Sequence, residues 1–283
     1  MKEKGMKIYR HIKLWSLAII IVSNIFIFYA VYAESRSGTL KVAFLDVGQG
    51  DAIFIESPIG NQVLIDGGPG KDILNALGRV MPFYDRSIDI ILATHPDQDH
   101  IGGLPEVLKN YSVSEYMTSG ATSSTGTSKE LENEVLGQGI KKDVVRAGEV
   151  VDLGGGAYLK ILYPTSDPKG TDTNKYSVVA KLYYGDSSVL LTGDAPADVE
   201  EYLAYTEGIE SDILKVAHHG SRNSLSPEFF SAVSPEYSII SAGKDNKYGH
   251  PHQEILDALS GIILKTYEKG DIVFTSDGLN FSQ

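Results

Sequence analysis

Residues 93–104 read ATHPDQDHIGGL. The run SIDIILA at 87–93 leads into them with the composition of a buried strand, and a helix start follows. Two histidines and two aspartates therefore fall within six positions where a strand leaves the core. Charged groups crowded beside a core repel one another and resist desolvation. A divalent cation would turn that repulsion into coordination, since imidazole nitrogen and carboxylate oxygen are usual ligands of Zn²⁺ and Mn²⁺.

The residues concerned are His95, Asp97, Asp99 and His100. On a loop after a strand, alternate residues can point into one pocket while the backbone turns beneath them. The alternative interpretation is a solvated acidic turn. It leaves unexplained why the group directly follows a buried strand and is soon followed by a Gly-Gly pair, which permits tight turning. We therefore predict a metal site.

Two further strand ends supply the same kind of residue. Asp194 follows the apolar run SSVLL, and His218 and His219 follow ILKVA. Alone, an aspartate after a strand is commonly a turn or cap residue, and a histidine pair is commonly on the surface. In α/β folds, however, ligand sites gather where loops leave the strand ends. Three such ends together predict one shared centre.

The order of strand-like and helix-like segments predicts the fold. A first run of strands (LKVAFLDV, DAIFIES, NQVLIDGG) and a second run (GEVVDL, AYLKILYP, SVVAKLYYG, SSVLLTGD) are each followed by helices. Two sheets packed face to face, with helices on both outer faces, satisfy this order. We therefore predict a four-layer αββα sandwich formed by a single domain, residues 35–283, without an internal linker.

Residues 1–34 form a separate segment. Five basic residues between positions 2 and 13 precede an uncharged stretch, Leu14–Ala33, which ends in Val31-Tyr32-Ala33 before Glu34. The length favours a membrane anchor, whereas the small-x-small ending favours a cleaved signal peptide, and both stay open. In either case we expect the remainder to be extracytoplasmic, secreted or anchored at the cell surface, with the membrane contacted only through this segment.

Charge and cysteine content exclude some classes of function. The net charge is −12 overall and +4 in residues 1–33, which leaves −16 on the remainder. Such a domain repels polyanions, so any nucleic-acid binding must be local and depend on bound cations. The chain has no cysteine, which excludes disulfides and thiolate zinc sites. A single hydrophobic segment also excludes a translocation pore.

The motifs together resemble the metallo-β-lactamase superfamily, and within it most closely the extracytoplasmic hydrolase domain of the ComEC competence (DNA-uptake) proteins. The resemblance implies an αββα sandwich and a two-metal hydrolytic centre. The stretches that carry it are FLDVGQGDA (44–52), VLIDGG (63–68), THPDQDHIGGL (94–104), NKYSVV (174–179), LLTGDA (190–195), LKVAHHGS (214–221) and YGHPH (248–252).

The resemblance implies roles for the metal-binding residues. It makes His95 and Asp97 ligands of one divalent ion, Asp99 and His100 ligands of the other, and Asp194 the bridge between them. One histidine of the pair at 218–219 completes the second site.

We expect that histidine to be His219, which leaves His218 to face the substrate. Asp66 resembles the carboxylate that orients ligands from behind. Asp46 and Asp51 either play similar supporting parts or form turns.

The sequence departs from the superfamily pattern at two positions. Asp97 stands where the pattern has a second histidine, and Asn174 occupies the position of a later one. The first site is therefore richer in oxygen, which favours Mn²⁺ over Zn²⁺ without deciding between them. A first site that fills only with substrate is a second interpretation. These departures match the ComEC branch and point to phosphodiester substrates.

The expected chemistry is attack by a metal-activated water on phosphorus. His218 and the backbone beside Ser221 would stabilise developing charge, while His250 or His252 would protonate the leaving oxygen or contact the substrate. An ordinary surface loop is the alternative for that last pair. The residues expected to carry catalysis are Asp99, Asp194 and His218.

Three hypotheses for function follow. The first is a metal-dependent nuclease or phosphodiesterase acting on DNA. The second keeps the metals but changes the substrate to a teichoic phosphodiester, a β-lactam or a lactone. The third is a non-catalytic binding domain of a DNA-uptake apparatus. Neither a basic stripe nor an aromatic strand-binding module is evident in the sequence, so DNA as partner follows mainly from the resemblance.

Overall fold

The structure, a computed structural model, describes residues 2–35 and 38–283, with side chains for 11–29 and 38–283. Two compact units divide at Gly38. The first contains helix α1 (Lys2–Ser35), in which His11–Tyr29 has a mean hydropathy of 1.9. This stretch is long and apolar enough to cross a membrane, and a signal sequence has the same length and composition. The predicted cleavage site at 31–33 lies outside the residues whose side chains are described.

The second unit, residues 39–283, holds every strand of the described chain. Its strands are β1 (Leu40–Phe44), β2 (Ile53–Glu56), β3 (Gln62–Ile65), β4 (Ser87–Ala93), β5 (Ser112–Thr118), β6 (Lys141–Val144), β7 (Val150–Gly154), β8 (Ala157–Tyr163), β9 (Val179–Tyr184), β10 (Ser187–Leu191), β11 (Ile213–Lys215), β12 (Tyr237–Ile240), β13 (Ile262–Lys265), β14 (Ile272–Ser276) and β15 (Phe281–Ser282).

Its helices surround these strands. They are α2 (Asp72–Val80), α3 (Gln98–Ile101), α4 (Leu104–Asn110), α5 (Gly126–Gly137), α6 (Ala197–Leu203), α7 (Pro227–Val233), α8 (Gln253–Ala258) and α9 (Thr266–Lys269), with 3₁₀ turns at Asn174–Tyr176 and Ala217–Gly220.

The strands form two mixed sheets. The first has the order β15-β14-β1-β2-β3-β4-β5-β6, and the second β13-β12-β11-β10-β9-β8-β7. Alternation along the strands builds the core between them, because successive side chains point to opposite faces. In β1, Val42 and Phe44 join the core between the sheets with Leu159 and Leu182 of the second sheet, whereas Ala43 faces the helices.

Helices cover both outer faces. In α2, Ile73, Ala76 and Leu77 are buried at helical spacing against the first sheet, with α4 and α5 beside it. Residues of α6, α7 and α8 bury the outer face of the second sheet. The predicted four-layer αββα sandwich is confirmed, and its three apolar cores all lie within residues 39–283.

The direction of the strands distinguishes two opposite ends of the sandwich, and each end is called an edge of the domain. β1, β3, β4 and β5 run the same way, as do β10 to β13 in the second sheet. We call the edge where β4, β10 and β11 end the site edge, and the edge where β1 begins the N edge. At the N edge the two sheets touch, since Asp186 N–H donates to Gly278 O at 2.7 Å.

Candidate metal centre

The first ligand candidates follow β4 at the site edge. His95 is fully buried, and its Nδ1 lies 3.0 Å from the hydroxyl oxygens of both Thr94 and Ser177. Nε2 of the same ring lies 3.9 Å from Asp97 Oδ2 and 4.0 Å from Asp194 Oδ2. The Thr173 hydroxyl donates to the other Asp97 oxygen at 2.6 Å, which leaves one oxygen facing His95.

The single turn of α3 places His100 and Asp99. His100 Nδ1 lies 2.8 Å from Asp66 Oδ2, and its Nε2 lies 3.2 Å from Asp194 Oδ1. Asp66 is itself held by the backbone N–H and hydroxyl of Thr94, which donate at 2.8 and 2.7 Å. Asp66 therefore lies where the predicted orienting carboxylate belongs, behind His100.

The second sheet delivers Asp194 and the histidine pair. His218 and His219 both have left-handed backbones, with φ of 51° and 56°, an unusual conformation for non-glycine residues. His219 Nε2 lies 3.3 Å from Asp99 Oδ2 and 3.7 Å from Asp194 Oδ2, and its ring is buried. His218 Nε2 lies 3.6 Å from Asp194 Oδ2 and its side chain stays about a quarter exposed. This geometry favours His219 as ligand and His218 as a residue facing the substrate.

A supporting layer lies behind His219. Its Nδ1 lies 2.9 Å from the Ser241 carbonyl oxygen and 3.2 Å from Asp51 Oδ1. Gly50 lets the loop that carries Asp51 pack against the backbone of Asp99: a Cβ at Gly50 would lie 2.1 Å from the Asp99 carbonyl oxygen. Asp51 is thus a supporting residue, whereas Asp46 accepts the Gly48 N–H and forms a turn.

Asp51 also contacts a residue that sequence reasoning missed. Lys215 is fully buried, and its Nζ lies 2.8 Å from Asp51 Oδ2. The sequence did contain a signal for this residue, because a lysine ends the short apolar strand just before His218 and His219.

The hydrogen bonds on the three rings decide which nitrogen is available to a metal. The Ser241 carbonyl and the Asp66 carboxylate can only accept, and the Thr94 hydroxyl already donates to Asp66. Nδ1 of His100 and Nδ1 of His219 therefore carry a proton, and the Thr94 oxygen can accept one from His95 Nδ1. Each Nε2 can then offer its lone pair to a metal once it is deprotonated.

No hydrogen bond within the described part of the protein occupies these candidate ligand atoms. Nε2 of His95, His100 and His219 and Oδ1 of Asp194 are buried, and none has a hydrogen-bond partner within residues 38–283. Leaving such atoms unsatisfied costs about 1–3 kcal/mol each.

The donors also lie close enough together to share cations. Ligand atoms lie within 4.8 Å of one another in the sets His95–His100–Asp194, Asp99–His100–His219 and Asp51–Asp194–His219. The mixed nitrogen and oxygen donors fit divalent cations, and Asp194 lies within 4.0 Å of Nε2 of His95, His100 and His219.

Electrostatics support the same conclusion. Burial opposes a charge on His100 and His219, but neighbouring carboxylates, Asp194 foremost, outweigh it, raising the pKa of His219 to about 9 and that of His100 well above its usual value. Burial alone would raise the pKa of Asp194, yet His100 and His219 hold it well below the ordinary range. The carboxylate is therefore ionised, and a cation can take the place of the imidazole protons.

The remaining predicted residues are spread around the centre. His250 lines the pocket over it, whereas His252 Nδ1 accepts the Arg222 N–H at 3.2 Å. Burial and the neighbouring histidines lower the pKa of His250 to about 4, so its ring is neutral near pH 7 and is better placed to contact substrate than to donate a proton. The buried Ser221 hydroxyl accepts the Asn223 N–H in a turn.

Asn174 is half-buried beside Thr173. In the described part of the chain its side chain makes no hydrogen bond to the cluster. Ser177 instead joins the two sheets: its Oγ accepts the Asp194 N–H at 3.1 Å and contacts His95. Sequence reasoning missed this serine, because a buried hydroxyl carries no pattern of its own.

Gln49 is a third residue that sequence reasoning missed. Its Oε1 accepts the Gly243 N–H at 3.1 Å, and its buried Nε2 has no partner among the described residues. The side chain lines the pocket over the centre, together with Asp97, Asp99, Asp194, His218, His219, Tyr248 and His250. Because Oε1 is occupied, the amide presents its N–H donors to whatever enters this pocket.

Two sheets packed face to face, with a histidine–aspartate centre at one edge, define a metallo-β-lactamase-fold protein. Residues 45–244 match the family model described as "Metallo-beta-lactamase superfamily", and the chain belongs to that superfamily. The fold and the clustered ligands suggest a metal-dependent hydrolase.

Competence proteins are among its relatives. The chain is 32% identical over 255 residues to ComE operon protein 3 of Bacillus subtilis, covering 83% of this chain and 33% of that protein. It is 32% identical over 233 residues to Recombination protein 2 of Haemophilus influenzae, covering 81% and 27%, and 29% identical over 220 residues to Competence protein ComA of Neisseria gonorrhoeae, covering 76% and 28%. The chain thus spans about a third of the length of these relatives or less.

Solved structures show the same fold at low identity. The metallo-β-lactamase fold protein YhfI from Bacillus subtilis has a TM-score of 0.53 at 12% identity, covering 83% of this chain and 98% of its own. Igni18, a metallo hydrolase from Ignicoccus hospitalis, has a TM-score of 0.53 at 14% identity with the same coverage.

Proposed function

We propose that this protein is an extracytoplasmic phosphodiesterase that cleaves DNA at a centre of two divalent cations. The observation that carries the proposal is the convergence of buried ligand atoms from both sheets on one point. Three Nε2 atoms and one carboxylate oxygen meet there with no hydrogen-bond partner in the described residues 38–283. Such an arrangement is costly unless a cation binds.

The residues divide into two ligand sets. His95, Asp97 and Asp194 would hold one cation, and Asp99, His100 and His219 would hold the other, with Asp194 shared. Bound there, the cations supply a water of lowered pKa and positive charge for a phosphate group. Zn²⁺ and Mn²⁺ both suit these donors, and the oxygen of Asp97 favours Mn²⁺.

Other residues would act on the substrate directly. The partly exposed His218 ring and the Gln49 amide face the same pocket from opposite sheets. Both can donate hydrogen bonds to a non-bridging oxygen as its charge develops. His250 would contact the substrate at the pocket wall.

The substrate class rests on the relatives and depends on bound cations. The relatives are named for competence and recombination, processes that handle DNA. The domain is strongly acidic, so a polyanion can approach closely only where cations reverse the local field. The competence homologues and the apolar helix near the N-terminus support the extracytoplasmic placement.

The test uses the chain without residues 1–33, with Mn²⁺, Zn²⁺ or no metal. DNA, bis(p-nitrophenyl) phosphate and a chromogenic β-lactam are offered in turn. We expect metal-dependent cleavage of the first two, abolished by Asp194→Ala together with metal binding. The matched control is Asp186→Ala, an exposed aspartate at the N edge, which should behave as the wild type.

β-Lactam turnover without phosphodiester cleavage would replace the proposed substrate. Two bound metals with no turnover of any substrate would instead identify a binding domain.

A further inference from the structure

The N edge carries a group of exposed apolar side chains around the point where the chain enters the domain. Leu40, the first residue of β1, pairs with Ser276, the last residue of β14, and β2 ends beside it. The turns that follow β14 and β2 therefore flank the first residue of the domain. They expose Leu279 and Ile59, at 64% and 61% respectively.

The segment between α2 and β4 adds two aromatic rings. Lys41 Nζ donates to the Val80 carbonyl at 2.8 Å, which ties the end of α2 to the start of β1. Phe83 and Tyr84 follow, 86% and 58% exposed, with their rings edge to face at 5.3 Å. We call Ile59, Phe83, Tyr84 and Leu279 the apolar fringe.

The turns that present these side chains are well held. A Cβ at Gly154 would lie 2.3 Å from Ile59 Cδ1, so the turn after β2 packs closely on the second sheet. Asp277 accepts the Leu279 N–H at 2.9 Å and closes the turn after β14. Exposed apolar side chains on the turns at one end of the strands mark an interaction surface.

We propose that the apolar fringe lies in the interface of a phospholipid bilayer. The occupant follows from chain connectivity: only residues 36–39 separate the membrane-length helix α1 from β1. Where α1 lies in a bilayer, a link of four residues tethers Leu40, at the N edge, to that bilayer. Exposed aromatic and aliphatic side chains on adjoining turns are the groups that enter a lipid interface.

Charge decides what kind of contact this is. The acidic side chains of Asp85 and Asp277 lie among the fringe residues, and residues 34–283 carry −16 overall. A domain of this charge is repelled by anionic headgroups, so the contact that we propose is apolar. The metal centre lies at the other end of the strands. β4 alone, with seven residues at about 3.3 Å each, separates the edges by about 23 Å, so the site would face away from the lipid.

The experiment uses the full chain reconstituted in phosphatidylcholine vesicles. Because the chain has no cysteine, Phe83→Cys and Leu279→Cys each give one labelling site for an environment-sensitive fluorophore. Val150→Cys is the control: it is 58% exposed, at the end of β7 remote from the N edge. Nitroxide-bearing lipids should remove most of the emission at 83 and 279 and little at 150, and high salt should not change this.

Two results would overturn the proposal. Labels at 83 and 279 that stay as unquenched as the label at 150 would place the fringe in water. A blue shift without lipid quenching would mean that a second copy of the chain covers it. Neither result depends on catalysis, so the outcome is independent of the proposed function.

Discussion

Lys215 and Asp51 form a fully buried ion pair, 2.8 Å between Nζ and Oδ2, directly behind the metal centre. The other Asp51 oxygen lies 3.2 Å from Nδ1 of His219. Burial tends to raise the pKa of Asp51, but Lys215 and His219 hold it well below its ordinary range. Asp51 thus stays ionised and presents a carboxylate oxygen to Nδ1 of the His219 ring.

Replacing Lys215 by Met should destabilise the domain by about 3–5 kcal/mol, because it leaves a buried carboxylate without its partner. Urea unfolding measures the change. Lys109→Met, which removes an exposed 2.6 Å pair with Glu130, should cost no more than about 1 kcal/mol. Adding Asp51→Asn to Lys215→Met should recover part of the loss. A double variant as unstable as the sum of the single variants would contradict the pairing.

Ser177→Ala should weaken metal binding by about 10–100-fold, the usual effect of losing a partner behind a ligand. The hydroxyl contacts His95 Nδ1 and accepts the Asp194 N–H, so its loss loosens ligands from both sheets at once. Titration with Mn²⁺ or Zn²⁺, followed by metal content after dialysis, measures the effect. Ser187→Ala removes another buried hydroxyl pair, with Ser276, at the N edge and should leave affinity unchanged.

Gln49→Leu should lower kcat/KM for a phosphodiester by about 10–100-fold, because one donor to a charged oxygen is lost from a buried site. Metal content should stay at the wild-type value, since Gln49 belongs to none of the clustered ligand sets. Steady-state kinetics with bis(p-nitrophenyl) phosphate measure the change. Gln138→Leu, on an exposed helix end, is the control. Unchanged kinetics in Gln49→Leu would show that the amide does not touch the substrate.

Glu200 should make stability fall as pH rises. It is buried on α6, with Oε2 accepting the Ser226 N–H, and burial raises its pKa from 4.5 to about 7. Below pH 4.5 the Glu200 carboxyl is protonated in both the folded and the unfolded chain, so it does not change the free energy of unfolding. Between pH 4.5 and 7 only the unfolded chain ionises, so the free energy of unfolding declines by about 3 kcal/mol in total.

Glu200→Gln should remove that component, so the variant gains stability relative to the wild type between pH 5 and 8. Denaturant unfolding at both pH values measures this difference. Glu201→Gln, the exposed neighbour on the same helix, is the control and should show no such gain. Parallel pH profiles for the wild type and Glu200→Gln would contradict the assignment.

Local patterns predicted the layers and most of the elements. Alternating or continuous apolar runs mark β1 to β4 and β8 to β10, because burial on one or both faces of a strand leaves a visible period. β6 was not predicted: its residues KKDV are mostly exposed at the edge of the first sheet, where burial imposes no pattern.

Local patterns likewise indicated some of the candidate ligands but not all of them. His95, Asp97, Asp99 and His100 are neighbours in the chain, so their convergence needs only one strand end and one helical turn. Their spacing alone indicated a metal site. The choice between His218 and His219 depends on left-handed backbone angles that spacing does not reveal.

The order of residues was thus enough to establish the four layers, the candidate ligands and an acidic domain behind an apolar helix, because each of these depends on neighbours along the chain or on composition. Packing decided the rest. Lys215 reaches Asp51 from 164 positions away, Gln49 meets Gly243 from the other sheet, and the apolar fringe gathers turns from separate strands. Such contacts are distant in sequence, so they exist only once both sheets have closed on a common core.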